Sequence, residues 1–158
     1  MLTIDGAYGE GGGQILRSAV SLSAITGKSI EVINIRAKRY NPGLRPQHLQ
    51  ATRAVAEIFR ARVENLKVGA EWIRFIPKPD NYEGGELKID IGTAGSIPMI
   101  LQTIIPAVAL SDKSLSVRIT GGTDVKMSPT TDYLRFIVHN AYKTIGINFS
   151  LDVLKRGY

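Results

Sequence analysis

The sequence predicts an α/β protein made of two tandem repeats, and three observations support this prediction. Segments with the two-residue period of strands alternate with segments that have the period of helices. Groups of glycine, proline, asparagine and aspartate separate these segments. When the chain is laid over itself with a shift of 85 residues and no gap, Ile4 and Asp5 coincide with Ile89 and Asp90. We therefore expect two copies of one βαβαβ(β) unit, with helices packed on sheets.

The first repeat is predicted to contain a strand, a helix, a strand, a helix and a hairpin of two strands. Its first helix ends before Gly27, because glycine is favoured just after a helix C-terminus. Its second helix begins at Pro46, because proline is well tolerated in the first turn of a helix. The predicted elements are a strand at 2–5, a helix at 14–26, a strand at 29–36, a helix at 46–62, and hairpin strands at 63–68 and 72–76.

The second repeat is predicted to follow the same order. Pro106 lies inside its first helix and is expected to kink it. The predicted elements are a strand at 86–91, a helix at 96–110, a strand at 115–120, a helix at 130–145 and a strand at 147–153. We place the first repeat at 1–79, a connecting turn at 80–85 and the second repeat at 86–158, with both repeats packed as part of one larger domain. The pattern does not predict the order of the strands within a sheet.

Composition restricts the class of protein. The chain has 158 residues, of which 44% are hydrophobic, and this is enough for a sizeable core. The lack of cysteine excludes disulfides and thiolate zinc sites and suits a reducing cytoplasm. Polar residues and prolines interrupt the longest apolar stretch, so we expect no membrane span, and early acidic residues argue against a signal peptide. The net charge of +6 favours a polyanionic partner such as RNA, although many basic proteins bind none.

A glycine-rich segment at 9–13 precedes the first helix and carries one carboxylate, Glu10. Glycine lets a backbone approach a ligand closely, and a helix N-terminus presents free N–H groups to anions. Gln14 and Arg17 lie one turn apart, so both can address one ligand, although Arg17 alone would be read as a solvated surface residue. The glycine spacing matches neither the dinucleotide-binding nor the P-loop pattern. Glu10 is therefore either a turn residue favoured by the helix dipole or a ligand of a divalent cation beside phosphate oxygens.

A basic segment at 35–48 leads into the second helix. Its cationic residues surround a Pro-Gly-Leu turn, and the helix opens with a glutamine and a histidine; these residues are Arg36, Lys38, Arg39, Arg45, Gln47 and His48. Arginine forks match phosphate oxygens two at a time, and His48 at the head of a helix would bind phosphate well as an imidazolium. The segment is thus either a phosphate-binding loop or an exposed basic loop, which is the commoner outcome of a charge run.

Three ordered motifs resemble the signature of the RNA 3′-terminal phosphate cyclases. They are Ile4 to Arg17, Ile35 to His48, and the Gly-Gly-Thr-Asp sequence from Gly121 to Asp124. The resemblance covers the entire chain and implies repeated βαβαββ-type units similar to those of the enolpyruvyl transferases. It also implies ATP-dependent chemistry. In this family a histidine of the enzyme takes AMP, the AMP passes to an RNA 3′-phosphate, and the vicinal 2′-hydroxyl attacks to give a 2′,3′-cyclic phosphate.

The resemblance also implies roles for individual residues. Glu10 is expected to hold a divalent cation, Mg²⁺ or Mn²⁺, beside ATP. The catalytic positions are Glu10, Arg17, Arg36, Arg39 and His48. The RNA terminal phosphate is expected to contact Arg36, Arg39, Gln47 and His48, and the nucleotide is expected to contact Gln14, Gln102 and Pro129. The alternative for Gln102 is a bond to neighbouring backbone, and the alternative for Pro129 is simple turn chemistry. Lys38 and Arg45 are expected to help only by general electrostatics.

The chain resembles the first half of a cyclase. The histidine that accepts AMP in the family lies beyond residue 158, so this chain alone is expected to be inactive. Of the two histidines present, His48 is assigned to phosphate and His139 is read as structural. The expected partners are RNA with a 3′-phosphate end and ATP, without a membrane. We also expect an exposed apolar surface that leads to self-association or to pairing with a C-terminal half.

Two other functions stay open. Nucleolar cyclase-like proteins keep the fold and act in RNA processing or ribosome assembly without adenylylation, and the fuller set of active-site residues here favours the enzyme. A bare module similar to the enolpyruvyl transferases explains the repeats but not the two long signatures. A histidine motif after Tyr158 would separate the enzyme from the non-catalytic protein.

Overall fold

The computed structural model describes residues 1–78, 84–111 and 114–158. The elements of the first repeat are β1 (Leu2–Asp5), α1 (Gln14–Thr26), β2 (Ile30–Ile33), α2 (Pro46–Ile58), β3 (Arg62–Glu64) and β4 (Ile73–Ile76). Those of the second are β5 (Gly85–Asp90), α3 (Ile97–Ala109), β6 (Leu115–Thr120), α4 (Thr131–Tyr133), a π-helical turn (Leu134–Val138) and α5 (His139–Thr144). This alternation confirms the predicted mixed α/β fold.

The described part of the first repeat forms a sheet with the strand order β1-β2-β4-β3. β1 and β2 are parallel, with Leu2 opposite Ile30 and Asp5 opposite Ile33, and α1 provides the crossover between them. β4 runs antiparallel to both β2 and β3. The first repeat therefore has the predicted βαβαββ order, and β2 is paired along both of its edges.

Several elements of the first repeat end earlier than predicted, because residues other than glycine adopt positive φ. β2 stops before Asn34, at φ 52°, and Arg36 follows at φ 55°. α2 stops before Arg60, at φ 46°, and β3 stops before Asn65, at φ 58°. Left-handed backbone is incompatible with a regular strand or helix, so Asn34, Arg60 and Asn65 mark the ends of these elements. α1 has its predicted bounds and ends at Gly27, at φ 69°.

The second repeat is less complete. β5 and β6 form a separate parallel pair, in register from Gly85 opposite Leu115 to Asp90 opposite Thr120. The predicted strand at 147–153 is wrong: these residues are described, and they form no strand. The reason is that a strand needs a neighbouring edge for its N–H and C=O groups, and this segment has no ladder partner in the described chain. The second repeat therefore has the order βαβα.

One hydrophobic core spans both repeats. Val20 of α1, Val55 of α2 and Ile100 of α3 are fully buried and belong to the same cluster of packed side chains. The Ser21 hydroxyl of α1 donates to the Thr103 carbonyl of α3 over 2.6 Å. The two repeats are therefore joined through their helices, while their sheets remain separate.

Two predictions about the chain path stay untested. Pro106 lies inside α3, which continues through it, and the predicted kink stays a prediction. Residues 79–83 lie outside the described residues, so the connecting turn at 80–85 is described only at its last two positions, and the boundary between repeats also stays a prediction. Within the described ranges, no helix combines the length and the apolar character that a membrane span requires.

Candidate anion-binding site

Three helix N-termini meet where the two repeats join. Gly13, the residue before α1, packs against His48 in the first turn of α2, and a side chain at position 13 would collide with the His48 Nε2 atom. The Gln47 Oε1 atom accepts the backbone N–H of Ser96, the cap residue of α3, over 3.2 Å. The three helices contain 13 residues each, so each contributes a full helix dipole. We call this region the helix junction, and the positive potential of its helix N-termini favours an anion.

The glycine-rich segment 9–13 lies against the basic segment 35–48. The Arg39 guanidinium forms an ion pair with the Glu10 carboxylate. The Lys38 Nζ atom donates to the Gly9 carbonyl over 3.0 Å. The two segments that the sequence singled out separately therefore form one site.

Arg17 is a buried cation that forms no ion pair with a carboxylate of the described residues. It is 9% exposed, which excludes a solvated surface residue, and burial lowers its pKa. Its Nη2 donates to the Gln14 Oε1 over 2.7 Å, and the Gln14 Nε2 donates to the Ser18 hydroxyl over 2.9 Å. The Arg17 Nε–H is buried without a hydrogen-bond partner. Because buried polar groups are normally bonded, this N–H is an unsatisfied donor of the site.

His48 is buried and uncharged at neutral pH. Burial, followed by the charges of Arg17, Arg36 and Arg45, lowers its pKa from 6.5 to about 3. Its Nδ1 accepts the backbone N–H of Arg45 over 3.2 Å, so the neutral ring carries its proton on Nε2, the atom that faces Gly13. The expectation of an imidazolium is therefore wrong for the unliganded site. A buried ring among three guanidiniums stays neutral and offers an N–H donor instead of a charge.

Arg36 braces the loop that precedes α2. Its Nη1 donates to the Asn41 carbonyl over 2.6 Å and to the Gly43 carbonyl over 2.9 Å. Burial, together with the charges of Arg45 and Arg39, lowers its pKa. Since a guanidinium has five N–H donors, bracing the loop does not use all of them. Contact between Arg36 and an RNA phosphate stays a prediction.

Gln47 links the repeats, a role that the sequence did not predict. Besides accepting the Ser96 N–H, its side chain places Nε2 3.4 Å from the Met99 Sδ. Ser96 is fully buried, and its hydroxyl bonds to the Ser128 hydroxyl. The only signal for this link was the serine at the start of the predicted helix 96–110, since serine is a typical cap residue. The Gln47 side chain is thus directed at α3, and its contact with a terminal phosphate stays a prediction.

Two residues predicted to contact the nucleotide belong to the second repeat. Gln102 is half-buried on α3, and its side chain makes no hydrogen bond to another described residue. Pro129 follows Ser128, whose hydroxyl donates to the Pro129 carbonyl over 3.2 Å. Through the bonded Ser96 hydroxyl, the Pro129 loop is connected to the helix junction. Contact of either residue with a nucleotide stays a prediction.

Glu10 is the carboxylate that the sequence assigned to a divalent cation. In the described part of the chain, no group of three or more His, Cys, Asp or Glu side chains is placed to hold a metal ion. Glu10 and at most one neighbour would supply protein ligands. This donor set fits Mg²⁺ or Mn²⁺ bound mainly through phosphate oxygens and water, and it does not fit an all-protein metal site.

Known proteins match this chain over nearly all of its residues. A sequence model of a family described as RNA 3′-terminal phosphate cyclase matches residues 8–158. The chain is 50% identical to the RNA 3′-terminal phosphate cyclase of Pyrococcus furiosus over 158 residues, which is 100% of this chain and 46% of the relative.

Relatives of the same name occur in other organisms. The Korarchaeum cryptofilum protein is 50% identical over 157 residues, which is 99% of this chain and 44% of the relative. The Nitrosospira multiformis protein is 48% identical over 158 residues, which is 100% of this chain and 44% of the relative. The chain spans somewhat less than half the length of these curated relatives.

Proposed function

Because this chain belongs to the RNA 3′-terminal phosphate cyclase family, we propose that it binds an RNA 3′-phosphate end and ATP for cyclisation of that phosphate. The proposed reaction converts the RNA 3′-phosphate to a 2′,3′-cyclic phosphate through adenylylated intermediates, and we propose the cytoplasm as its location. The observation that supports this function is the helix junction, where three helix N-termini meet beside a group of arginines with Glu10 as the adjoining carboxylate.

Arg39 is the cation best placed for the terminal phosphate. Its side chain is 39% exposed, and its present partner is the Glu10 carboxylate, which is 83% exposed. An exposed ion pair of this kind contributes only about 0 to 1 kcal/mol. In the proposal a phosphate, which carries more charge than one carboxylate, replaces Glu10 at Arg39. His48 adds its neutral Nε2–H as a donor. Arg36, on the loop before α2, and Gln47, on α2, complete the proposed contacts with the phosphate.

The nucleotide is proposed to occupy the side of the junction that Arg17 faces. ATP supplies activation, because AMP makes the phosphate a better electrophile by acting as a leaving group. Arg17 offers its unpartnered Nε–H, and Gln14 orients the guanidinium. Glu10, released from Arg39, would hold the divalent cation, while Gln102 and Pro129 border the nucleotide. Arginines and a cation around a transferring phosphoryl group stabilise its charge.

Replacing Arg39 by alanine tests the proposed contact with the RNA 3′-phosphate. We expect Arg39→Ala to weaken binding of a 3′-phosphorylated oligonucleotide by about tenfold or more, since it removes a charge-assisted contact of about 1.5 to 3 kcal/mol. Binding of the same oligonucleotide with a 3′-hydroxyl end should weaken much less. Arg53→Ala is the matched control, because Arg53 is an exposed arginine on α2 away from the basic segment. Both affinities are measured by fluorescence anisotropy at fixed salt. Equal losses for the two oligonucleotides would mean general backbone attraction only.

The proposed ATP site is tested with ATP labelled at its α-phosphate. We expect Mg²⁺-dependent, non-covalent binding that Glu10→Gln weakens, because the substitution removes the charge and keeps the shape. No label should survive denaturation, since the His48 Nε2 atom carries the ring proton while its Nδ1 accepts the Arg45 N–H, and the ring of His139 packs on Phe149 at 4.8 Å. Covalent label on this chain would contradict the proposal that neither histidine is the nucleophile. Unchanged ATP binding by Glu10→Gln would mean that Glu10 is only a turn residue.

We also propose that the isolated chain self-associates through its second repeat. A groove of about 1150 Å³ is lined by α3, β6 and residues 146–157. In the described chain β6 pairs only with β5, so its other edge is open. Open edges and apolar grooves accept a further strand. A second copy of this chain would occupy the groove, and in longer relatives a further repeat would do so.

A further inference from the structure

The Gly-Gly-Thr-Asp motif at 121–124 has a structural partner in the segment around Arg156. The Thr123 backbone N–H donates to the Gly157 carbonyl over 2.8 Å, and the Gly157 N–H donates to the Thr123 hydroxyl over 3.1 Å. The Arg156 Nη1 donates to the Asp124 Oδ2 over 2.9 Å. Turn chemistry therefore does not account for the whole motif, because its threonine and aspartate bind a segment more than 30 residues away.

Arg156 spans two carboxylates on either side of one loop. Its Nη2 donates to both oxygens of Asp132, over 2.7 and 2.9 Å, while Nη1 holds Asp124. Asp124 precedes the loop and Asp132 follows it, so one guanidinium ties the two ends of the loop together. Bonds from a guanidinium to carboxylates are charge-assisted and directional, which suits a fixed geometry.

Asp124 passes this restraint to the start of α4. Its Oδ1 accepts the Thr131 backbone N–H over 3.0 Å, and the Thr131 hydroxyl donates to the Thr123 carbonyl over 2.6 Å. Although burial acts to raise the pKa of Asp124, bonds from Thr131, Thr123 and Arg156 hold that pKa below 3.8. The carboxylate is therefore ionised at neutral pH and keeps its bond to Arg156.

The segment 123–131 is also held from its other side. The Ser128 hydroxyl bonds to the buried Ser96 hydroxyl at the N-terminus of α3. Between the two attachments, Met127 adopts φ 61° and is 88% exposed, so the loop projects from the surface in a conformation that is unfavourable for methionine. Such backbone persists only where the surroundings fix it, and the bonds of Arg156 and Ser96 add to those between Asp124, Thr123 and Thr131 in doing so.

We propose that Arg156 is a positioning residue that fixes the segment 123–131 and thereby holds Pro129 in place for the nucleotide. This inference rests on the proposed ATP site. Arg156 touches no substrate in the proposal; it acts through Asp124, Asp132 and the loop between them.

Arg156→Ala tests the inference, with Arg74→Ala as the matched control. Arg74 also binds two carboxylates, those of Glu31 and Glu64, and its side chain is 45% exposed against 40% for Arg156, but it lies in the sheet of the first repeat. We expect Arg156→Ala to weaken binding of a non-hydrolysable Mg-ATP analogue by about tenfold, which is the loss expected from one charge-assisted restraint. Arg156→Lys should recover part of the affinity. Arg74→Ala should leave it unchanged.

Two further readouts separate positioning from loss of stability. Affinity for the 3′-phosphorylated oligonucleotide should stay unchanged in Arg156→Ala, because that contact belongs to the first repeat. Amide hydrogen exchange should rise at Thr123 and Thr131 in this variant alone. Equal nucleotide affinity in Arg156→Ala and wild type, or a parallel loss for RNA, would overturn the inference.

The proposed function can fail separately. If the wild-type chain binds no nucleotide, the ATP site is wrong, and hydrogen exchange still decides whether Arg156 fixes the loop. Unchanged exchange at Thr123 and Thr131 in Arg156→Ala would then overturn the restraint itself.

Discussion

The two repeats share one local pattern but differ in how far their sheets are completed. In the first repeat β2 is paired on both edges, and Val32 at its centre is fully buried. In the second repeat Val117 stands at the equivalent position of β6, which pairs on one edge within the described chain, and it is only partly buried. Repetition in the sequence thus specifies the individual elements, while closure of each sheet depends on strands that find a partner edge.

The repeats also differ in charge at equivalent positions. The shift of 85 residues places Arg36 over Gly121, Arg39 over Asp124 and His48 over Tyr133. The second copy therefore lacks the cations of the first and uses an aspartate, Asp124, to bind Arg156. One scaffold accordingly provides the proposed anion-binding surface in the first copy and the proposed restraint on a loop in the second.

The largest expected difference between the repeats is the pH dependence that His48 confers. The folded pKa is about 3 and the ordinary value is 6.5, so between these values the unfolded chain binds a proton that the folded chain does not. The free energy of unfolding therefore rises with pH through this window. The contribution of His48 to that free energy is fully present above pH 6.5. We expect a loss of roughly 2 to 3 kcal/mol between pH 6.5 and 4.5, measured by urea unfolding.

His48→Asn removes the titration and keeps an acceptor for the Arg45 N–H, so it should flatten this dependence. Asp5 does not interfere in this window. The Ala7 N–H holds the pKa of Asp5 below 3.8, so Asp5 loses its contribution only in more acidic solution. An equally steep dependence in His48→Asn would show that another group is responsible.

A matched pair of valines tests the difference in sheet closure. Val32→Ala should lower the free energy of unfolding by about 2 kcal/mol, because it removes two buried carbon groups and leaves a cavity. Val117→Ala, at the equivalent position, should lower it by about 1 kcal/mol or less, because Val117 keeps part of its surface in solvent. Both values come from denaturant unfolding at one pH. Equal losses would show that the second sheet is as well closed as the first.

The smallest expected effect concerns self-association through the open groove. Leu154 lines the groove and is 80% exposed, whereas Leu22 lies on α1 of the first repeat and is 58% exposed. We expect Leu154→Asp to raise the dissociation constant of the self-associated chain by about fivefold, which corresponds to about 1 kcal/mol. Leu22→Asp should have no effect. Sedimentation equilibrium measures both, and a monomeric wild type, or equal weakening by both changes, would contradict the proposed surface.

Periodicity and turn chemistry were sufficient to predict β1, α1 and β6 with their bounds. They failed where the backbone of Asn34, Arg36 or Asn65 turns left-handed, because no pattern in the neighbouring residues marks a positive φ outside glycine. The strand expected at 147–153 failed for a different reason. Strand formation depends on a partner that the segment itself does not encode.

The site was predicted unevenly for similar physical reasons. Glycine content indicated phosphate binding by the segment 9–13, and charge indicated it for the basic segment 35–48. The structure brings these two segments together. The neutral state of His48 was missed, because it depends on burial among three arginines that only the fold assembles. The links from Gln47 to Ser96 and from Arg156 to Asp124 were missed since each joins residues far apart in sequence.

The ion pair between Glu10 and Arg39 has a thermodynamic consequence for the proposed site. Each group is the counterion of the other. A phosphate that binds Arg39 therefore releases Glu10, and a divalent cation that binds Glu10 releases Arg39. The two ligands are then coupled, and the coupling is reciprocal: the factor by which Mg²⁺ tightens RNA binding equals the factor by which RNA tightens Mg²⁺ binding. The salt dependence of RNA binding is also expected to report fewer released ions than there are cations in contact with the phosphate, because one of the displaced counterions belongs to the protein.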